Sequence, residues 1–120
     1  MTLAHETVEE MRRLAGRLEE AQSGLREQAI VYAEAERDYR KAKARAWLRA
    51  PEGTAAHRAA WVDGETADAR MKRDMADGMR QAHLEDVRNC RQQISAWQTW
   101  INADREEAAF SRTGPDGGAY

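Results

Sequence analysis

Apolar and small side chains recur at alternating spacings of three and four residues along the first fifty residues. This is the spacing of positions on one face of an α-helix that packs against another helix. Gln28 is the one polar interruption in about five heptads of this seam. The pattern predicts one helix from about residue 3 to residue 50. Its members are Met11, Leu14, Leu18, Ala21, Leu25, Tyr32, Ala35, Tyr39, Ala42 and Ala46.

The ends and glycines of this first helix have local signals of their own. Thr7 is followed three residues later by Glu10, a capping-box spacing that marks Thr7, or Thr2 before it, as a candidate first cap. Gly16 and Gly24 each weaken a helix, but neither lies on the seam, so we expect at most a bend.

A turn is predicted at residues 51–53. Pro51 disfavours helical geometry in the residue before it, and Gly53 accepts backbone angles that other residues resist. Thr54 is then expected to cap a short helical piece over residues 54–63. Gly64 is either a break after this piece or only a weak point in the helix.

A second long helix is predicted from about residue 66 to residue 110. Two long helices joined by a short turn predict an all-α, coiled-coil-like antiparallel hairpin, with a single domain over residues 1–110. The tail at 111–120 is rich in glycine and is predicted to be disordered. The apolar positions of the second helix are Met71, Met75, Met79, Ala82, Val87, Cys90, Ile94, Trp97 and Ile101.

Several apolar side chains lie outside both seams. Ile30 and Val31 are off the first seam, and Trp100 is off the second. Since a hairpin of this size is marginal alone, we expect self-association, most simply as a dimeric four-helix bundle. The alternative is that the piece at 54–63 folds back over one end of the hairpin.

Positive charge is concentrated in one segment of a chain whose formal net charge is −2. Residues 37–50 hold six basic side chains and one acidic side chain. Cations four residues apart form a ribbon along the helix that could follow a phosphate backbone, and these candidate polyanion-binding residues are Arg37, Lys41, Arg45 and Arg49. The more common explanation is a solvated, salt-bridged helix face, on which Glu34, Glu36 and Asp38 are close enough to pair with some of these charges.

Four tryptophans fall into two groups along the chain. Tryptophan is favoured at protein interfaces because it offers a large contact area at a small entropic cost. Trp47, Trp61 and Trp100 are therefore candidate partner-binding residues, whereas Trp97 lies on the seam and is assigned to the core.

We expect no enzymatic activity, no catalytic residue and no cofactor, because no nucleophile elbow or phosphate loop is present. His83 and Cys90 share a helix face, but the zinc-binding spacings are absent, so we expect no metal site. One cysteine cannot form an internal disulfide, and neither a signal segment nor an apolar span is evident. These features favour a cytoplasmic protein with no membrane association.

The segments YAEAERDYRKAKARAWL, MKRDMADGMRQAHLEDVR and ISAWQTWI resemble a group of small helical proteins encoded by bacteriophages and prophages of actinobacteria and related hosts. The resemblance covers residues 30–105 and implies a phage origin and a role in the host cell cytoplasm, near replication and recombination. Secreted helical hairpins with a Trp-x-Gly turn are a second similarity. The chain departs from them because two residues separate Trp61 from Gly64 and both follow the predicted turn.

The leading hypothesis is a non-enzymatic, phage-type interaction protein that self-associates and binds a host or phage protein through its helical surfaces. One alternative is a nucleic-acid-binding accessory protein of phage replication or recombination that uses the ribbon at 37–49. Another is an inhibitor of a host defence or of a host enzyme.

Overall fold

The computed structural model describes residues 3–113, and this part of the chain is helical almost throughout. Helix α1 runs over Leu3–Arg49, α2 over Ala55–Glu65 and α3 over Ala67–Thr113. Within the described range there is no β-strand. The predicted all-α class is therefore confirmed.

The connection between α1 and α2 lies where Pro51 and Gly53 predict a turn. Helix α1 ends at Arg49, and the N–H of Ala50 donates to the carbonyl of Trp47 at 3.3 Å. The hydroxyl of Thr54 then accepts a hydrogen bond of 3.1 Å from the N–H of His57. This bond satisfies a backbone donor that has no partner inside the first turn of α2, so the predicted cap at Thr54 is confirmed.

The interruption between α2 and α3 is at Thr66, and Gly64 lies inside α2. Both the N–H and the hydroxyl of Thr66 donate to the carbonyl of Val62, at 3.0 and 2.7 Å. Helix resumes at once, since the N–H of Arg70 donates to the carbonyl of Thr66 at 3.0 Å. A threonine hydroxyl that bonds to the carbonyl four residues earlier commonly bends a helix, and this accounts for the position of the junction.

Residues 21–86 form one compact unit, here called the turn unit. It contains the second half of α1, all of α2 and the first part of α3. The guanidinium of Arg73 lies 3.6 Å from Glu36, and that of Arg80 stacks over Tyr32, so α1 and α3 run antiparallel here. The predicted helical hairpin is confirmed. Its buried side chains are small except for one ring: Ala35, Tyr39, Ala46, Val62, Thr66 and Ala76.

Residues 3–20 and 87–113 belong to a second compact unit, here called the terminal unit. Its buried apolar side chains are Leu14 from α1 and Val87 and Cys90 from α3. Trp97, which the seam assigns to the core, is half-buried.

Two predictions about local structure need correction, and one contact of Gly24 was not predicted. Thr7 is buried inside α1 and does not cap it, while a cap at Thr2 lies outside the described residues. Residues 111–113 continue α3, so the predicted disordered tail at 111–120 begins too early, and residues 114–120 lie outside the described range. Gly24 faces α3 closely, since a Cβ there would lie 2.7 Å from Nδ1 of His83.

Candidate interaction surface

One flank of the turn unit, the stacked flank, is closed by arginines that lie over the aromatic rings of α1. The planar guanidinium group is attracted to the face of an aromatic ring and covers its apolar surface. The pairs, with the distance from guanidinium carbon to ring centre, are Arg80 over Tyr32 at 5.1 Å, Arg73 over Tyr39 at 4.4 Å and Arg58 over Trp47 at 5.6 Å.

Ion pairs hold the middle of the stacked flank. Arg73 donates two hydrogen bonds to Asp74, the shorter of 2.9 Å, and its Nε lies 3.6 Å from Glu36. The hydrogen bonds that Arg73 donates to Asp74, with the negative charges of Asp74 and Glu36 nearby, raise the pKa of Arg73 above its ordinary value. Glu36 also accepts a hydrogen bond of 2.9 Å from Arg40. The carboxylates of Asp74 and Glu36 therefore hold the guanidinium of Arg73 in place over Tyr39.

The opposite flank, the open flank, consists of Val31 on α1 and Met71, Met75 and Met79 on α3. The exposed fractions of these side chains are 46%, 62%, 62% and 52%. The methionines are four residues apart, so they form one row along α3. Val31, Met75 and Met79 line a shallow groove of about 350 Å³ whose remaining lining residues are Gln28, Glu34, Ala35, Asp38, Lys72 and Ala76.

The structure divides the predicted partner-binding tryptophans between the two units. Trp47 and Trp61 belong to the turn unit, where Trp47 is partly exposed beneath Arg58 and Trp61 is half-buried in α2. Trp100 belongs to the terminal unit and is exposed, with its ring edge-on to that of Trp97 at 5.6 Å between centres.

The four cations of the predicted ribbon are all exposed. Arg37 lies 3.6 Å from Asp38, whereas Glu36 pairs with Arg40 and Arg73 and not with the ribbon. Within residues 3–113, no ion pair involves Lys41, Arg45 or Arg49. All four side chains are solvated, as the common explanation of such a ribbon expects, and among the described residues Arg37 is the one of the four that pairs with a carboxylate.

Two further findings concern metals and membranes. Among the described residues there is no group of three or more His, Cys, Asp or Glu side chains that could hold a metal ion. In the same part of the chain, no helix contains an apolar stretch that is long enough to cross a bilayer.

The sequence interpretation missed the arginines of the stacked flank, although a signal for two of them exists. Tyr32 and Tyr39 are seven residues apart, and so are Arg73 and Arg80. In an antiparallel pair of helices, equal heptad spacings on the two partners bring such residues into register. A search for matched aromatic and basic heptads would have found both pairs.

No family model matches the chain, and no curated protein or solved structure is significantly similar to it.

Proposed function

We propose that this chain is a non-enzymatic interaction protein that binds a protein partner through its helical surfaces. The observation that carries the proposal is the open flank, where Val31, Met71, Met75 and Met79 stand together and exposed. Contiguous apolar patches of this kind mark protein interaction sites in many proteins, whereas single exposed apolar residues are common everywhere.

The chemistry of the open flank suits a helical partner. Methionine is unbranched and polarisable, so a row of methionines adapts its shape to the apolar side chains that dock on it. A helix that lays an apolar stripe into a groove is a recurring mode of recognition. Trp47, Trp61 and Trp100 are additional candidate contacts, because partly exposed tryptophan is often an anchor of binding energy.

The resemblance of residues 30–105 to small phage and prophage proteins supports the biological setting of this proposal. The partner is then a host or phage protein, and the place of action is the cytoplasm of the host cell.

The test compares three forms of the protein as bait in lysate of an actinobacterial host: wild type, Met75→Lys and Ile30→Lys. Ile30 is 61% exposed against 62% for Met75, so the two substitutions place the same charge at equally exposed positions. A captured protein is identified, purified and titrated against each form. We expect Met75→Lys to raise Kd at least about tenfold and Ile30→Lys to leave it unchanged. Equal affinities for all three forms would contradict the proposal.

A second candidate function, the binding of nucleic acid or another polyanion by the ribbon, is favoured by one observation. Lys41, Arg45 and Arg49 are exposed and take part in no ion pair within residues 3–113. Cations that are free of carboxylates displace counterions from phosphates, which makes binding strongly dependent on salt.

This second candidate is tested by titrating single-stranded and duplex DNA at about 50 and about 200 mM salt. Replacement of the ribbon cations by glutamate should abolish binding. The control makes the same change of net charge at four exposed arginines of the terminal unit: Arg12, Arg17, Arg91 and Arg105. An affinity for DNA that does not change with salt, or that falls equally in the ribbon variant and in the control variant, would exclude the ribbon as the binding site.

A further inference from the structure

We infer that the partner seated on the open flank is a second copy of this chain, with α1 of each copy against α3 of the other. The inference rests on the proposed function only in treating the open flank as an interaction surface. It names the occupant and fixes the orientation of the two hairpins.

The interior of the turn unit gives the first reason. Half of its six buried side chains are alanines, Ala35, Ala46 and Ala76, and such small side chains remove little apolar area from water. The arginines close the stacked flank. Ile30 and Leu48 are exposed singly, whereas the apolar side chains of the open flank are exposed as a group. A second hairpin on that flank would supply the further layer that a two-helix unit of this size needs.

The register of the hairpin gives the second reason. Arg73 contacts both Glu36 and Tyr39, so its neighbour Lys72 lies level with Asp38. One helical turn further along the hairpin, Asp68 on α3 lies level with residues 42–45 of α1, and Arg45 is the last of these.

The signs of these charges alternate along both helices. On α1, acidic Asp38 is followed by basic Arg45, and on α3 basic Lys72 is followed, toward the same end, by acidic Asp68. At about 100° per residue, Asp38 and Arg45 lie within about 40° of Val31 around α1, which places both on the open flank. By the same measure, Asp68 and Lys72 lie within about 60° of Met75 around α3.

Symmetry then selects one of two dimers. A two-fold axis parallel to the helices sets α1 of one copy against α3 of the other at the same level, so Asp38 meets Lys72 and Arg45 meets Asp68, each pair twice. A two-fold axis perpendicular to the helices sets α1 against α1, and when it passes through the centre of the open flank, at Met75, it brings Glu34 of each copy toward Asp38 of the other. Juxtaposed like charges disfavour the second arrangement.

Three of the four charges are available for this pairing. In the described residues, Arg45, Asp68 and Lys72 take part in no ion pair, while Asp38 lies 3.6 Å from Arg37 at an exposed position. Farther along the open flank, Glu27 and Asp86 have the same sign, so the interface is expected to end before them.

The first test is light scattering after size exclusion, over a range of protein concentration. The wild type should reach twice the chain mass of 13.6 kDa. Met75→Lys should raise the dimer Kd at least about tenfold, and the matched control Ile30→Lys should not change it. Because both side chains are exposed, circular dichroism should show an unchanged helix content in both variants.

A wild type that stays monomeric at every concentration up to about 100 µM would overturn this inference. The proposed function would still stand if Met75→Lys weakens the binding of a purified partner protein. If Met75→Lys changes neither the mass nor the partner's affinity, both proposals fail.

The second test addresses orientation by charge reversal. Lys72→Glu places a carboxylate against Asp38 of the other copy and should weaken the dimer. The double variant Lys72→Glu with Asp38→Lys restores opposite signs and should recover the wild-type mass. A double variant as weak as Lys72→Glu alone would overturn the pairing of α1 with α3.

Cross-linking distinguishes the two symmetry axes directly. On a Cys90→Ala background, chains with Val31→Cys and chains with Met79→Cys are mixed and oxidised, because Val31 of one copy lies level with Met79 of the other in the proposed dimer. The proposed dimer yields the mixed disulfide. A disulfide between two Val31→Cys chains as the main product would show α1 against α1 and overturn the inference.

Discussion

Two glycines of α1 have different surroundings although they share a helix. Apart from its chain neighbours and the backbone of its own helix, no described heavy atom lies within 4 Å of a Cβ built on Gly16, whereas a Cβ on Gly24 would lie 2.7 Å from the imidazole of His83. Gly16→Ala should therefore raise the free energy of unfolding by up to about 1 kcal/mol, the usual difference in helix propensity. Gly24→Ala should raise the free energy of unfolding by less than Gly16→Ala does, or lower it, because the His83 ring must shift to make room for the methyl group.

Thermal and denaturant unfolding followed by circular dichroism would measure both changes. The double variant Gly24→Ala with His83→Ala provides the control, because without the ring the added methyl group should show its propensity gain relative to His83→Ala. Equal gains for Gly16→Ala and Gly24→Ala would contradict the close contact between Gly24 and His83.

The Glu10–Arg13 pair in α1 predicts a titration behaviour. Arg13 Nε donates to Oε2 of Glu10 at 3.0 Å, a second guanidinium nitrogen pairs with Oε1, and these hydrogen bonds lower the pKa of Glu10 below its ordinary value of 4.5. Since the pKa is lowered in the folded state, the pair stabilises the fold above pH 4.5. This contribution is lost as the pH falls through the folded-state pKa.

An NMR titration of the Glu10 carboxyl carbon tests this prediction. Arg13→Gln should return the pKa of Glu10 toward 4.5, and Arg17→Gln should move it less, because Arg17 is the weakest of its electrostatic influences. A wild-type Glu10 that already titrates at 4.5 would show that the pair does not persist in solution.

At the scale of elements, Arg73 tests the stacked flank. Arg73→Lys keeps the charge but removes the planar group over Tyr39, so we expect a loss of about 0.5 to 1 kcal/mol in the free energy of unfolding. Arg37→Lys, on an exposed position of α1, is the matched control and should stay within about 0.5 kcal/mol of the wild type. Equal free energies of unfolding for the two variants would mean that the stacking of Arg73 on Tyr39 does not stabilise the fold.

The helices themselves could be predicted because they depend on local rules. The seam gives α1 and α3, and the threonine after Gly53 gives the cap of α2. The sequence predicts a possible break at Gly64 and a second long helix from about residue 66. It does not predict that the interruption lies at Thr66, because that position depends on a buried hydroxyl that bonds back to Val62 in this fold. Pro51 signals its break strongly, whereas Thr66 resembles any threonine inside a helix.

At the scale of the molecule, self-association couples stability to concentration. If the wild type dimerises through the open flank, its Tm should rise by about 3 °C for each tenfold increase in protein concentration, because mass action favours the folded dimer. Ile30→Lys should show the same slope and Met75→Lys a flat one. If Tm rises equally with concentration in all three proteins, the dimer contact lies outside the open flank.

The candidate surface was only partly predictable. The seam identifies Val31 as a residue outside the core, and the charge pattern identifies the ribbon. Which flank stays open could not be predicted, because it depends on Arg58, Arg73 and Arg80 reaching across to the rings of α1. Sequence periodicity places a long side chain on a helix but does not tell which ring it covers.

The burial of Cys90 makes its thiol a built-in probe of how often the terminal unit opens. The residue is 3% exposed, so an alkylating reagent can reach the sulfur only after the surrounding helices separate. The ratio of its labelling rate to that of a free thiol then reports the free energy of that separation. Because the chain has a single cysteine, the reading comes from one site and needs no added probe.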